Sequence, residues 1–243
     1  MYPEYLYNSD TQDICRRVSE LACADEPALR AHCQEVSRQT DTSSLSLARD
    51  CAIRVNDADA TLSIIGESAQ KLSQSLLQAA GVFRAQDGKA HFAAVCRAVA
   101  RIEEERLRLL SHVAALGELR SAIASSMAEA NRTLLFLSLA KGAVFEGAKP
   151  FYAEGIACTQ AAYARLIATD NAVREVQAFY MTAVERQLPA FMQRIRAAAD
   201  FNHGGEALDT ATIRALCGEL LILRGARRRS LFDGYCDEKL QNT

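Results

Sequence analysis

Apolar and polar positions alternate along most of this chain with the period of a helix. The clearest stretch is VNDADATLSIIGESAQKLSQSLLQAAGVF, Val55 to Phe83, with no proline and two glycines. Extended backwards, Ala48, Cys51, Val55, Ala58, Leu62, Ile65, Ala69, Leu72, Leu76, Ala79 and Phe83 follow in steps of three and four. A repeat this regular predicts a coiled-coil-like seam. Asn56, Asp57, Glu67 and Lys71 fill the other faces, so only a narrow dry edge is expected.

A second stripe runs through Phe92, Val95, Val99, Ile102, Arg106, Leu109, Val113, Leu116, Arg120, Ile123, Met127, Ala130, Leu134 and Leu137. Two arginines stand at its core-type positions, with Leu107, Leu110 and Leu119 nearby to cover their stems. Gly142, Gly147 and Pro150 then mark either a kink or a hairpin, and periodicity does not choose. Phe145, Ala148, Tyr152, Ile156 and Tyr163 keep helical spacing across the break.

The dipeptide-rich ATDNA at 168–172 predicts a turn, with Asp170 or Asn171 capping the next helix. That helix carries Val173, Val176, Tyr180, Val184, Leu188, Phe191 and Ile195, and Pro189 should bend it. A loop at 200–209 and a final helix through Ile213, Leu216, Leu220, Leu223 and Leu231 complete the chain.

At the other end, an aromatic arm precedes a short helix from Asp10 or Thr11 to about Cys23. Pro27 suits the first turn of a second short helix, to about Gln39, and QTDTSSLS reads as a polar linker. The expected organisation is therefore an N-terminal arm and short helical hairpin over 1–44, then a long-helix bundle over 45–243. The fold class is all-α: an elongated antiparallel bundle of about four long helices with coiled-coil-like seams. No such helix hides its dry side alone. Leu62, Ile65, Leu72, Leu76, Arg106, Leu109, Val113 and Leu116 are expected in a seam with other helices of this chain or of a second copy.

Composition agrees with helix: four prolines and twelve glycines in 243 residues leave few breakers. A net charge of −2 sets up no global field toward nucleic acid, and no specific nucleic-acid partner is expected. The charge is uneven. Residues 1–44 hold four basic and eight acidic side chains, residues 89–169 ten basic and seven acidic. No signal peptide or membrane-spanning run is visible, so the expected location is cytoplasmic, with peripheral membrane contact as an option.

Eight cysteines include no CxxC pair; the C-x9-C spacing of Cys23 and Cys33 suits a twin-cysteine hairpin but has no second pair. Cys51, Cys96, Cys158 and Cys217 fall on apolar helix faces and are expected as reduced, buried thiols. His32, His91, His112 and His203 show no ligand spacing. No nucleotide loop, nucleophile elbow or acid–base set is visible. The expectation is a non-enzymatic protein with no cofactor, no metal and no small-molecule substrate. The charged run IEEERLRLL at 102–110 is a solvated face, or places Arg106 as a partner-selecting charge in a dimer seam. RGARRR at 224–229 puts Arg224, Arg227 and Arg228 on one side, either solvated or meeting an anionic surface.

The order of parts resembles the membrane-remodelling BAR domains of the sorting-nexin type, over roughly residues 45–235. The residues that carry it are Phe92 with Glu103–Glu105, then Leu134, Lys141 and Phe145, then Glu185, Arg186, Leu188 and Phe191. The resemblance implies an elongated homo- or heterodimer whose concave side meets anionic, curved membrane. Lys141, Lys149, Arg165 and Arg174 are the cations it places nearest an arm tip. Each would add about 1 kcal/mol at an anionic surface. The other reading is a helical adaptor or assembly subunit that binds only proteins.

Overall fold

The computed structural model describes residues 9–21, 24–82 and 88–203. Among these every regular element is helical: α1 (Ser9–Leu21), α2 (Glu26–Val82), α3 (Gly88–Ala143), α4 (Lys149–Thr182) and α5 (Leu188–His203). The chain is an all-α protein. A single 3₁₀ turn (Glu146–Ala148) precedes α4, and a π-turn (Ala183–Gln187) joins α4 to α5. No described helix is long and apolar enough to cross a membrane. The final helix expected through Ile213 to Leu231 lies outside the described residues, as does all of the 200–209 loop beyond His203.

Asp25 starts α2: its Oδ1 accepts from the Ala28 N–H at 3.0 Å, and Pro27 sits in the first turn, where its missing N–H costs nothing. The helix then continues to Val82, so the short second helix and the linker at QTDTSSLS are corrected. Serine and threonine do not break a helix that contains neither proline nor glycine from Ala28 to Ile65. Here they turn their hydroxyls onto their own helix. Ser37 donates to the Cys33 carbonyl at 2.7 Å, Thr40 to Val36 at 3.2 Å and Ser44 to Asp41 at 2.8 Å.

The expected turn at 168–172 is likewise absent, because α4 runs through it. Thr169 back-bonds to the Arg165 carbonyl at 2.9 Å, and Asp170 accepts from Arg120 rather than capping a new helix.

The chain divides into two compact units. The first holds residues 1–50 and 119–171. Its core is Leu29 and Cys33 from α2, Phe136, Leu137 and Ala140 from α3, and Val144, Ala148 and Tyr152 around the α3–α4 turn. Ile14 and Val18 of α1 pack onto this cluster, which is what docks a helix otherwise mostly exposed. Moving from Leu137–Gly155 to Asn131–Tyr163 to Arg120–Asp170, the α3 partner steps back while the α4 partner advances. The segment at 142–150 is therefore a hairpin, not a kink. Ser37–Gly155 and Asp41–Arg165 advance together, so α2 and α4 are parallel. His32–Phe136 and Ser43–Ser126 make α2 and α3 antiparallel. The unit is an up-down-up three-helix bundle with α1 on its flank.

The second unit holds residues 51–118 and 172–243. The same senses recur there: Val113–Gln177 and Arg106–Val184 are antiparallel contacts, and Tyr180 of α4 reaches Val55 and Asp59 of α2. Leu62, Ile65, Leu72, Ile102, Leu109, Val113 and Leu116 are buried within the single chain. These seam residues meet helices of the same chain and are not left over for a second copy. The side chain of Leu76 lies outside those described.

The dry edge of α2 is wider than the stripe foretold. Ala52, Thr61, Gly66 and Ser68 are buried as well, because a helix in a three-helix bundle touches two neighbours rather than one.

Candidate functional site

The polar groups at helix contacts form a set of ties, and these account for three of the arginines singled out above, Arg106, Arg120 and Arg165. Arg165 of α4 donates from Nη1 to Asp41 Oδ1 at 2.7 Å and to Ser44 Oγ at 2.5 Å. Its side chain is only 20% exposed. It was expected on a membrane-facing tip; the structure turns it onto α2 instead. The reason is the QTDTSSLS stretch, which as helix presents Asp41 and Ser44 one turn apart on the side facing α4.

Arg120, at a core-type position of α3, reaches Asp170 of α4 at 2.9 Å. Arg106 is held by Glu103, one turn back, and donates across to the Val184 carbonyl at 3.3 Å. It was weighed as a partner-selecting charge in a dimer seam. It is corrected to an intrachain tie, since the carbonyl it meets belongs to the same chain. Tyr180 Oη donates to Asp59 Oδ1 at 2.5 Å. Burial, then the Asp59 bond, raise its pKa well above the ordinary phenol range.

In the first unit Gly155 lets α2 and α4 approach closely. A Cβ there would sit 3.0 Å from Ser37 Oγ. Ser37 and Thr159 both donate to the Gly155 carbonyl, at 3.4 and 2.9 Å. Next to this contact Tyr152 is fully buried beside Cys33. Burial pushes the Cys33 thiol up to about 11, an effect the Tyr152 contact only partly offsets. Burial likewise raises Tyr152. A thiol so placed stays protonated near neutral pH and is a poor nucleophile.

Cys51 is buried as expected, but Cys96 is exposed and Cys158 half-buried, lining a cleft of about 320 Å³ with Arg30, Arg38 and Phe151. Cys23 and Cys217 lie outside the described residues. A second cleft, about 520 Å³, separates α1 from α2 and α3 and is lined by Asp13, Arg17, Glu129 and Arg132. Arg17 lies over the Phe136 ring, 5.3 Å from its centre, and His32 meets the same ring edge to face at 5.5 Å. Burial, then the Arg17 charge, lower the His32 pKa. Among the described residues no three His, Cys, Asp or Glu side chains gather as a metal-ligand set.

The remaining predicted cations are placed as follows in their own units. Lys141 is half-buried near the end of α3, and Lys149 pairs with Glu146 in the turn. Arg174 is exposed on α4 but engaged, and sits in the other unit. Arg224, Arg227 and Arg228 lie outside the described residues. Among the described cations of the first unit, Arg165 is turned onto α2 and Lys149 is paired within the turn, so the expected tip cations do not all stand free there.

Sequence reasoning named Leu107, Leu110 and Phe145 in other roles and missed Ile53, Leu135, Leu139 and Ile167; all seven are exposed apolar side chains, from 38% to 53%. The signal was present: none of the α3 residues among them falls on the buried stripe. No family model, curated protein or solved structure matches this chain.

Proposed function

We propose that this chain is a non-enzymatic helical adaptor or assembly subunit that works through protein contacts. The observation that supports this is the division of labour on its helices. Arginines at helix contacts are consumed in ties within the chain, while large apolar side chains are left outside. Exposed apolar groups gathered on helix faces are what a helical partner reads. The test is native-size fractionation of cell extract containing the tagged chain. The reading expects migration in a complex larger than 26.6 kDa, lost when exposed leucines are changed to aspartate. Migration at its own mass in extract, with the fold intact, would overturn it.

A BAR-like membrane contact is the second reading. It is favoured by the up-down-up course of the helices and by Phe145, 48% exposed at the hairpin turn between Lys141 and Lys149. Two lysines supply about 2 kcal/mol at an anionic surface, which is a Kd of about 30 mM, so Phe145 insertion would have to carry the rest. Co-sedimentation with phosphatidylserine vesicles decides. This reading expects binding that falls with salt and with Phe145→Ser, and fails if the wild-type chain stays in solution at low salt.

A further inference from the structure

The first unit carries a second heptad seam that faces outward. On α3, Ala124, Ala128, Asn131, Leu135, Ser138 and Gly142 follow in steps of four and three, and all are exposed. On α4, Ala153, Ala157, Gln160, Ala164, Ile167 and Asn171 do the same. Counting outwards from the Leu137–Gly155 contact puts Leu135 level with Ala157, Leu139 with Ala153 and Ala128 with Ala164. Asn131 Nδ2 bonds Tyr163 Oη at 3.3 Å where the two helices meet beside the seam. The two rows thus form one face of the hairpin. Arg132, which lines the α1 cleft, and Glu154, which lines the α2 cleft, fall on its far sides.

Not one of these twelve positions is charged, in a chain that is 24% charged. Charge depletion with apolar enrichment marks the centre of a protein interface and is unlike ordinary solvated surface. Leu135 and Ile167 are the large groups of the two rows, at 49% and 39% exposure, and Leu139, 44% exposed, stands one turn from Leu135 on α3. Alanine and glycine between them let a facing helix come close, while the two seam asparagines, Asn131 and Asn171, favour one register.

We propose that this α3–α4 face is a homodimer interface, occupied by the same face of a second copy. A neutral face offers nothing to an acidic or basic partner, and a neutral face presented by the same chain is its natural complement in a two-fold contact. The area suffices. From Ala124 to Gly142 is about 27 Å of helix, and two helices are about 20 Å across, so two copies bury about 1,000 Å². That lies at the lower edge of specific interfaces, so association in the micromolar range is expected.

This deepens the protein-contact reading by naming its partner, and it is tested separately, on the purified chain alone. Sedimentation equilibrium from about 1 to about 200 µM covers the expected range. The proposal expects a monomer of 26.6 kDa passing to a dimer as concentration rises. Leu135→Asp and Ile167→Asp, both at exposed sites, should each weaken dimerisation at least about tenfold with unchanged helical circular dichroism, because each buries an unpaired charge. Leu107→Asp, in the other unit, should leave it unchanged. A single monomeric species at every concentration, or a dimer indifferent to both seam variants, overturns the proposal. A monomer that still joins a larger complex in extract would sink this inference and leave the adaptor reading standing.

Discussion

Arg106 on α3 donates from Nη1 to the main-chain oxygen of Val184, 3.3 Å away on the π-turn. The relationship follows from Pro189. In the π-turn Leu188 gives its N–H to the Ala183 carbonyl, five residues back. The next donor in that pattern would be residue 189, aimed at Val184, and proline has none. Arg106 supplies the missing hydrogen, with its guanidinium steadied by Glu103 at 2.7 Å. Arg106→Met should therefore cost about 1–3 kcal/mol, the range for orphaning a buried carbonyl. In a Pro189→Ala background residue 189 regains an N–H, and the same substitution should cost about 1 kcal/mol or less. A urea double-mutant cycle measures this; equal costs in both backgrounds would refute the coupling.

Tyr180→Phe removes only the hydroxyl that donates to Asp59 at 2.5 Å. A loss of about 1–3 kcal/mol is expected, since the acceptor is charged. Asp59→Ala in the Tyr180→Phe protein should then add little, which thermal melts of the four variants can show.

Alkaline stability should report Cys33. Its folded pKa is raised, from an ordinary 9.0 to about 11, so the folded chain holds the proton that the unfolded chain releases. Stability from this group is full below 9.0 and lost as pH rises toward about 11, and Tyr152 and Tyr180, also raised, extend the loss upward. Urea midpoints are expected to fall between about pH 8 and about pH 10, with a smaller fall in Cys33→Ser. Site-resolved labelling should modify Cys15 and Cys96, both exposed, long before Cys33 and Cys51.

Arg165→Gln separates a fold role from a membrane role. Losing the bonds to Asp41 and Ser44 should destabilise the chain by about 1–3 kcal/mol. Whatever vesicle binding the wild type shows should not change, because this side chain is turned onto α2. Reduced binding at unchanged stability would contradict that placement.

Gly155→Ala pushes a methyl to 3.0 Å from Ser37 Oγ and should weaken the α2–α4 contact. Adding Ser37→Ala removes the clashing oxygen and should recover part of the loss, as read from denaturant midpoints.

The spacing of Ala48 to Leu72 and of Val95 to Leu137 was enough to place two helices and most of their buried edges. Such information is local: a 3.6-residue period states which side is dry without knowing what covers it. The same local rules failed at QTDTSSLS and ATDNA. Turn-forming residues there are held in helix, and their polar groups are answered by partners far along the chain: Arg165 for Asp41, Arg120 for Asp170.

Tertiary structure alone decided that the α3–α4 break is a hairpin, because that depends on Leu137 finding Gly155 rather than on Gly142 or Pro150 themselves. It also decided the fate of the arginines. A charged side chain looks alike in sequence whether it will face water, lipid or a carbonyl, and only the packed helices bring Val184 to Arg106. The sequence by itself determined that the chain is helical and which edges are dry, since both follow from contacts within one or two turns. The sense in which helices run and the pairing of their charges were set by contacts between residues dozens to more than a hundred positions apart.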